Sequence, residues 1–423
     1  MKLKKPSLFI EQSISTFRRR LYSVIFAGFL LGLAYPPWGL WFLIIPAFAL
    51  LYIALSGVET RFSFLKLGFI FGFVFYLVHC YWLVSFHPLA LPAALVYIAL
   101  WIMLWAFIAS YLNKNPFYYA ASWIFMEWLL GLGYFAFPWS RIATALAAQP
   151  LLIQPVAFSG ELFWGGLWVL CGLLLGAVLL NYYTYKYLLA VIILLTLFFA
   201  GGVYRSNEVE LEFYETPALI IQHNVSSFPI RIGVFENQYE NLVSITERRA
   251  DRGQLIIWPE TSIGISFGID LSGKPSWPSE EWKEKLLALI PSRSALLSGV
   301  IFYEPHPTKL DVLNGAVLLD SRRDIAGYYT KRKPVPVGEH LPLMGRWKWV
   351  YNLGRLLGTH GYRPGDRGGL IEFESDTESI KIAVQICFED AFPSYVRGQV
   401  LNGADLLVNI SNDSWSRSRA SHR

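Results

Sequence analysis

The chain has 423 residues, 54% hydrophobic and 16% aromatic, with a mean hydropathy of +0.39; this is too apolar for a soluble domain of that length, so part of it belongs in lipid. The net charge of +5 does not mark a nucleic-acid binder, because 11 basic and 4 acidic residues lie in 1–204 whereas 25 basic and 27 acidic residues lie in 205–423. That change in charge density predicts a membrane domain over 1–204 and a water-facing domain over 205–423.

Seven apolar runs occupy the first half, near 21–34, 39–56, 65–86, 88–112, 117–139, 153–180 and 187–204. Such lengths suit a hydrocarbon core about 30 Å thick. The first run is cut short by Pro36 and Pro37, but no small-residue cleavage site precedes the next one, so it reads as a span and not a signal peptide. Basic residues gather at alternate ends: Lys2, Lys4, Lys5, Arg18, Arg19 and Arg20, then Arg61 and Lys66, then Lys114, then Lys186, with only Arg141 in the intervening loops. The positive-inside rule then places the N-terminus in the cytoplasm and, after seven crossings, the second half outside, in the periplasm of a two-membrane bacterium. Cys80 and Cys171 fall within apolar runs, which leaves Cys387 as the lone outer cysteine, either inert in a core or reactive. Of the two acids in the runs, Glu127 is either a packing contact inside the bundle or a substrate contact. Glu161 lies near a span end, where headgroups hydrate it.

Past residue 205 the pattern changes to short apolar runs, "ALIIQHN", "QLIIWPE", "SALLSGVIFYE", "NGAVLLD", "IAGYYT", "IKIAVQIC" and "ADLLVNIS", which read as strands. Helical spacing at 236–250 and 279–290 separates some of them, which predicts a layered α/β domain. Three reactive side chains fall at strand ends: Glu260 in "LIIWPETS", Lys331 in "GYYTKRKPVPVGEHLP", and Cys387 in "AVQICFED". Each has an ordinary explanation, as a helix cap, a solvated turn charge and a small core residue. Together they are complementary, because a thiol needs a base, and the anion formed in acyl transfer needs a cation. No G-x-S-x-G elbow is present, and His223, His306, His340, His360 and His422 lack ligand spacing, so neither a serine hydrolase nor a metal or other cofactor is expected. The stretch 341–358, with Trp347, Trp349 and Tyr351 among Arg and Lys, has interfacial composition and is either an arm resting on lipid or a helix packed on its own domain.

"IIWPET", "YYTKRKPVPVGEHLP", "ICFED" and "LLVNISNDSW" are similar to motifs of the nitrilase, or carbon–nitrogen hydrolase, superfamily. With the membrane stretches "GFIFGFVFYLVHCYWLVSF" and "FPWSRIATALAAQPLLIQPVAFSGE", the whole resembles the apolipoprotein N-acyltransferase family. The resemblance implies a polytopic α-helical membrane domain followed by an extracytoplasmic αββα sandwich. It implies a Glu-Lys-Cys triad with Cys387 as nucleophile, Glu260 as general base and Lys331 as oxyanion and thiolate stabiliser. Glu339 would support the lysine, Glu389 matches the acid after the nucleophile, and Phe388 stands where the family often has Tyr. The implied donor is a phospholipid and the implied acceptor the α-amine of a diacylglyceryl apolipoprotein. The cycle would be ping-pong at the inner membrane, completing lipoprotein maturation without cofactor or nucleic acid. The alternatives are a membrane-tethered amidase or nitrilase, and an inactive, truncated lipid-binding relict. Relatives continue beyond "SNDSW" whereas this chain ends in "SRSRASHR", which predicts a shortened sheet with an unpaired edge and little activity.

Overall fold

The computed structural model describes residues 17–85, 90–208, 215–222, 232–306, 309–322, 324–344, 346–375 and 378–412. The leading lysines, His223, His422 and the tail beyond 412, with the expectation of a shortened sheet, lie outside the described residues. The chain forms two units that part between Leu211 and Glu212.

In the first unit the apolar segments fold as helices α1 (Phe17–Leu33), α2 (Ile44–Ser56), α3 (Arg61–His79), α4 (Ala90–Ala109), α5 (Pro116–Leu130), α6 (Glu161–Leu179) and α7 (Tyr185–Glu208). Local sequence starts two of them: Thr60 accepts a hydrogen bond from Ser63 N, and Asn115 accepts one from Phe117 N with Pro116 at the first helical position. Among the described residues, four helices are long and apolar enough to cross a membrane, Arg61–His79, Leu91–Ala109, Glu161–Leu179 and Tyr185–Glu208.

Three pairs of glycines four residues apart seat these helices on one another. Gly28 and Gly32 of α1 meet α3, Gly68 and Gly72 of α3 meet α4, and Gly172 and Gly176 of α6 meet α2. A Cβ would lie 2.7 Å from Phe71 O at Gly28, 2.4 Å from Ala106 Cβ at Gly68 and 2.7 Å from Ile45 O at Gly172. Close backbone approach of this kind is how apolar helices associate where lipid removes the hydrophobic drive. Glu127 is buried and accepts hydrogen bonds from Trp123 Nε1 (2.9 Å) and Ile142 N (3.2 Å), the arrangement of a packing contact. Glu161 is ion-paired with Arg141, so a protein cation meets its charge where headgroup hydration was expected.

The second unit is two packed sheets. The larger contains β1 (Ala218–Ile220), β2 (Leu255–Ile257), β3 (Ser266–Ile269), β4 (Pro275–Ser276), β5 (Ala295–His306), β6 (Lys309–Asp320) and β7 (Asp324–Thr330). β1, β2 and β5 run parallel, and β5–β6–β7 form an antiparallel meander. The smaller holds β8 (Ile371–Glu374), β9 (Ser379–Ile386) and β10 (Leu406–Ile410), with β10 parallel to β9. Their facing apolar side chains, Leu297, Leu318 and Tyr329 from one sheet and Phe373, Ile382 and Val384 from the other, form a shared core. The opposite face of the larger sheet is covered by Leu242 of helix Ile232–Arg249 and Leu286 of helix Glu280–Ala288. On the smaller sheet, helix Pro393–Leu401 is tied to β9 by Gln399 Nε2, which donates to Val384 O. The layers are those of an αββα sandwich. All seven expected strand segments contain strands; β3, β4 and β8 were not foreseen because two to four residues carry too little alternation.

Candidate active site

β2 ends at Ile257, and the chain then bulges against β5 while keeping its hydrogen bonds. Trp258 N donates to Leu297 O (2.8 Å), Gly299 N to Pro259 O (3.1 Å) and Ser262 N to Gly299 O (3.0 Å). β3 then takes over the same edge of β5 from Ile301 onward. The bulge carries Glu260 and puts Thr261 at φ +49°. It closes only because residue 299 is glycine: a Cβ there would lie 2.4 Å from Thr261 N and 2.5 Å from Glu260 Cα, backbone atoms that cannot swing aside. Gly299→Ala is expected to shift the Glu260 backbone, slow acylation of Cys387 about a hundredfold and cost about 1–3 kcal/mol. Adduct kinetics beside a thermal melt will check both effects.

Lys331 follows the last residue of β7. Its backbone is held on both sides, by Lys331 N donating to Asn314 O (2.8 Å) and Gly365 N donating to Lys331 O (2.7 Å). The ammonium, on a side chain 2% exposed, donates to Glu339 Oε1 at 2.8 Å and to Glu260 Oε1 at 3.3 Å. Glu339 is fixed from behind, its Oε2 accepting from Val335 N at 2.6 Å.

Cys387 is the first residue past β9 and has φ +52°, a left-handed conformation rare for a residue with a side chain. Glu389 holds that turn. Its Oε2 accepts from Ile386 N (2.9 Å), its Oε1 accepts from Arg332 N (2.7 Å) and Lys333 N (3.1 Å), and Tyr329 Oη donates to both oxygens. One fully buried carboxylate thus joins the cysteine turn to the turn that begins at Lys331. The end of β10, in register with β9 through Ile410 and Ile386, closes the site. Asn412 N donates to Glu260 Oε2 at 3.2 Å, and the Ser411 side chain is hydrogen-bonded to Cys387.

Burial pushes the Glu260 carboxyl above its usual range, against the pull of the Lys331 ammonium; the Glu339 carboxylate adds to the rise. For Lys331, burial favours discharge, but Glu260 and Glu339 outweigh it and hold the ammonium above its usual range. Burial, with the Glu260 charge, raises the Cys387 thiol, while Lys331 and Ser411 pull it down. The Lys331 side chain is thus shared between two buried acids within the site that holds Cys387. Raised proton affinity at Glu260 is the property a general base for a thiol requires.

Residues 27–174 match the sequence profile of the apolipoprotein N-acyltransferase N-terminal domain, and residues 232–422 match that of the carbon–nitrogen hydrolases. The chain belongs to the apolipoprotein N-acyltransferase family. It is similar to apolipoprotein N-acyltransferase 1 of Treponema denticola, at 24% identity over 96% of this chain and 81% of the relative. It is also similar to the apolipoprotein N-acyltransferase of Rickettsia typhi, at 27% identity over 83% of this chain and 71% of the relative. An amidase from Nesterenkonia sp. of known structure overlaps 48% of this chain and 68% of its own at 16% identity and a TM-score of 0.29.

In this N-acyltransferase chain the five residues singled out from the sequence, Glu260, Lys331, Glu339, Cys387 and Glu389, converge on one site within the second unit. Sequence reading missed Asn314, Gly299, Ser411 and Asn412. "LNGAV" carries no motif, and a glycine that relieves a bulge on the neighbouring strand leaves no local signal. The segment "LLVNISN" reads as a strand and as a family likeness, but neither marks Ser411 or Asn412 as a site residue. Residues 341–358 include the helix Lys348–Leu356, which buries Val350 and Gly354, the latter against Met344 and Leu341. The same helix leaves Trp349, Tyr351 and Leu356 exposed, as is Trp347 just before it.

Proposed function

We propose that this chain moves an acyl group from a phospholipid to the α-amine of the diacylglyceryl-cysteine that begins an apolipoprotein, by way of a thioester on Cys387. The observation that carries the reading is the buried Glu260–Lys331–Glu339 cluster beside a cysteine presented at a strand end in a left-handed turn. Glu260 takes the thiol proton as Sγ attacks the ester carbonyl, and the Lys331 ammonium stabilises the oxyanion. Collapse breaks the ester C–O bond, and Glu260 returns the proton to the departing lysophospholipid oxygen. In the second half the lipoprotein amine attacks the thioester, Glu260 accepts the amine proton, and the thiol is regenerated.

We infer an inner-membrane location with seven crossings and the catalytic unit on the periplasmic side. The four long apolar helices and the basic residues at alternate ends of the apolar segments, Arg61, Lys66, Lys114 and Lys186, support it. The exposed Trp347, Trp349 and Tyr351 suit contact with the lipid interface, where both substrates carry their acyl chains. The test incubates the purified full chain with phospholipid and a diacylglyceryl lipopeptide. N-acyl lipopeptide and lysophospholipid are expected, with none from Cys387→Ala. Free fatty acid with unmodified lipopeptide would make the chain a tethered hydrolase instead.

A further inference from the structure

We propose that Asn314 is a positioning residue that divides the work of the two buried glutamates, its amide holding Glu260 as the proton acceptor while Lys331 is drawn toward Glu339. The inference rests on the reading of Glu260 as base for Cys387.

Asn314 lies in the middle of β6 and is 2% exposed. Its Nδ2 donates to Glu260 Oε1 at 2.7 Å and to Glu339 Oε1 at 3.1 Å. The Lys331 ammonium reaches the same two oxygens with the opposite preference, 3.3 Å to Glu260 and 2.8 Å to Glu339. Two donors and two carboxylate oxygens thus form a closed ring, in which the neutral donor stands closer to Glu260 and the cation closer to Glu339. The amide cannot be turned over, because its oxygen would then face both carboxylates. The backbone contributes as well: Asn314 O accepts from Lys331 N, and Gly315 allows the strand to approach β7, a Cβ there lying 2.6 Å from Tyr329 O.

Asn314 Oδ1 is buried with no hydrogen-bond partner among the described residues. A residue kept for packing alone would do better as an apolar isostere, because an unmatched buried acceptor is destabilising. The chemistry at Glu260 accounts for the choice. Glu260 is faced by Lys331, Glu339, the Cys387 thiol and Tyr362, and by the N–H of Asn412. A second cation in place of Asn314 would make Glu260 a weaker base. An apolar side chain would leave two carboxylates sharing one ammonium, with Glu260 protonated too readily. A neutral donor keeps the carboxylate ionised yet able to accept a proton.

The test follows the rate of hydroxylamine-labile acyl adduct on Cys387, by intact mass, against pH. It uses the full chain in detergent with phospholipid as donor. Asn314→Ala is expected to move the acid limb upward by about one pH unit or more, the loss of a hydrogen bond to a charged group. Below that limb the rate falls about tenfold, more than on the plateau. Asn314→Asp keeps the shape, so it decides the matter if the alanine variant folds poorly. Its third carboxylate should move the limb further in the same direction. A limb unchanged in the folded variants, with only the plateau lowered, overturns the inference alone. A wild-type chain that forms no adduct overturns the thioester reading and this inference with it.

Discussion

Lys331→Met is expected to abolish measurable acylation of Cys387 and to destabilise the second unit at the same time. The substitution keeps the length of the side chain but leaves Glu260 and Glu339 buried without their cation. Breaking a buried pair from one side costs about 3–5 kcal/mol, because the remaining charge is uncompensated. On the proposed mechanism, loss of the oxyanion partner should remove about 10²–10³ in rate. The two effects separate in the double variant Lys331→Met/Glu339→Gln, which removes one orphaned charge. It should recover part of the melting temperature and none of the adduct. The pH dependence has a definite sign. Without the ammonium, Glu260 loses the interaction that pulls its proton affinity down, so the folded variant holds a proton more tightly than the unfolded chain. Its deficit is then largest at neutral pH and shrinks as pH falls. A double variant that regains activity would show that Lys331 serves only to balance charge.

The second large effect is expected at Glu389. Glu389→Leu strands three backbone N–H groups, from Ile386, Arg332 and Lys333, around a fully buried side-chain position, and leaves the Tyr329 hydroxyl its hydrogen bond with Tyr395 Oη. Each unsatisfied donor costs about 1–3 kcal/mol, so the variant should fail to accumulate as folded protein. Glu389→Gln is the informative change. Its oxygen can serve one turn, but its amide then presents hydrogens to the donors of the other. It should fold with a lowered melting temperature and lose about 10² in acylation rate, because the two turns it joins carry Cys387 and begin at Lys331. Equal activity of Glu389→Gln and wild type would mean that the turns hold their positions without the ionised carboxylate.

The site was legible in the sequence wherever reactive chemistry coincided with the end of an apolar run. Cys387 after "IAVQI", Lys331 after "GYYT" and Glu260 after "LIIW" all met that condition, since parallel strands deliver their C-terminal ends to a common edge. Glu339 and Glu389 sit in loops, and a likeness to known motifs was needed to mark them. Asn314 satisfies neither criterion: it lies inside a strand, and its importance comes from which oxygens the folded sheet brings to its amide. In the membrane half, hydropathy located the apolar segments, but the glycine pairs that decide which helices touch were written at a four-residue spacing that hydropathy averages away. Helix 348–356 shows the opposite case. Its composition allowed either an arm on lipid or a helix packed on its own domain, while the contact of Gly354 with Met344 depends on how the preceding turn folds back.

The contact from Asn412 to Glu260 spans 152 positions, and it bears on biogenesis. A polypeptide made from its N-terminus exposes the base, then the ammonium, then the thiol, before the residues that lock them together exist. Glu260 receives its last N–H, and Cys387 its Ser411 partner, only when β10 zips alongside β9. Long-range pairings of this kind form late and slowly. Until then the proposed base and nucleophile lack these last contacts, so acylation of Cys387 in a nascent chain is expected to await the pairing of β10 with β9. On the proposed mechanism, an acyl adduct on Cys387 would report that both sheets have closed, readable on a single residue in a crude membrane preparation.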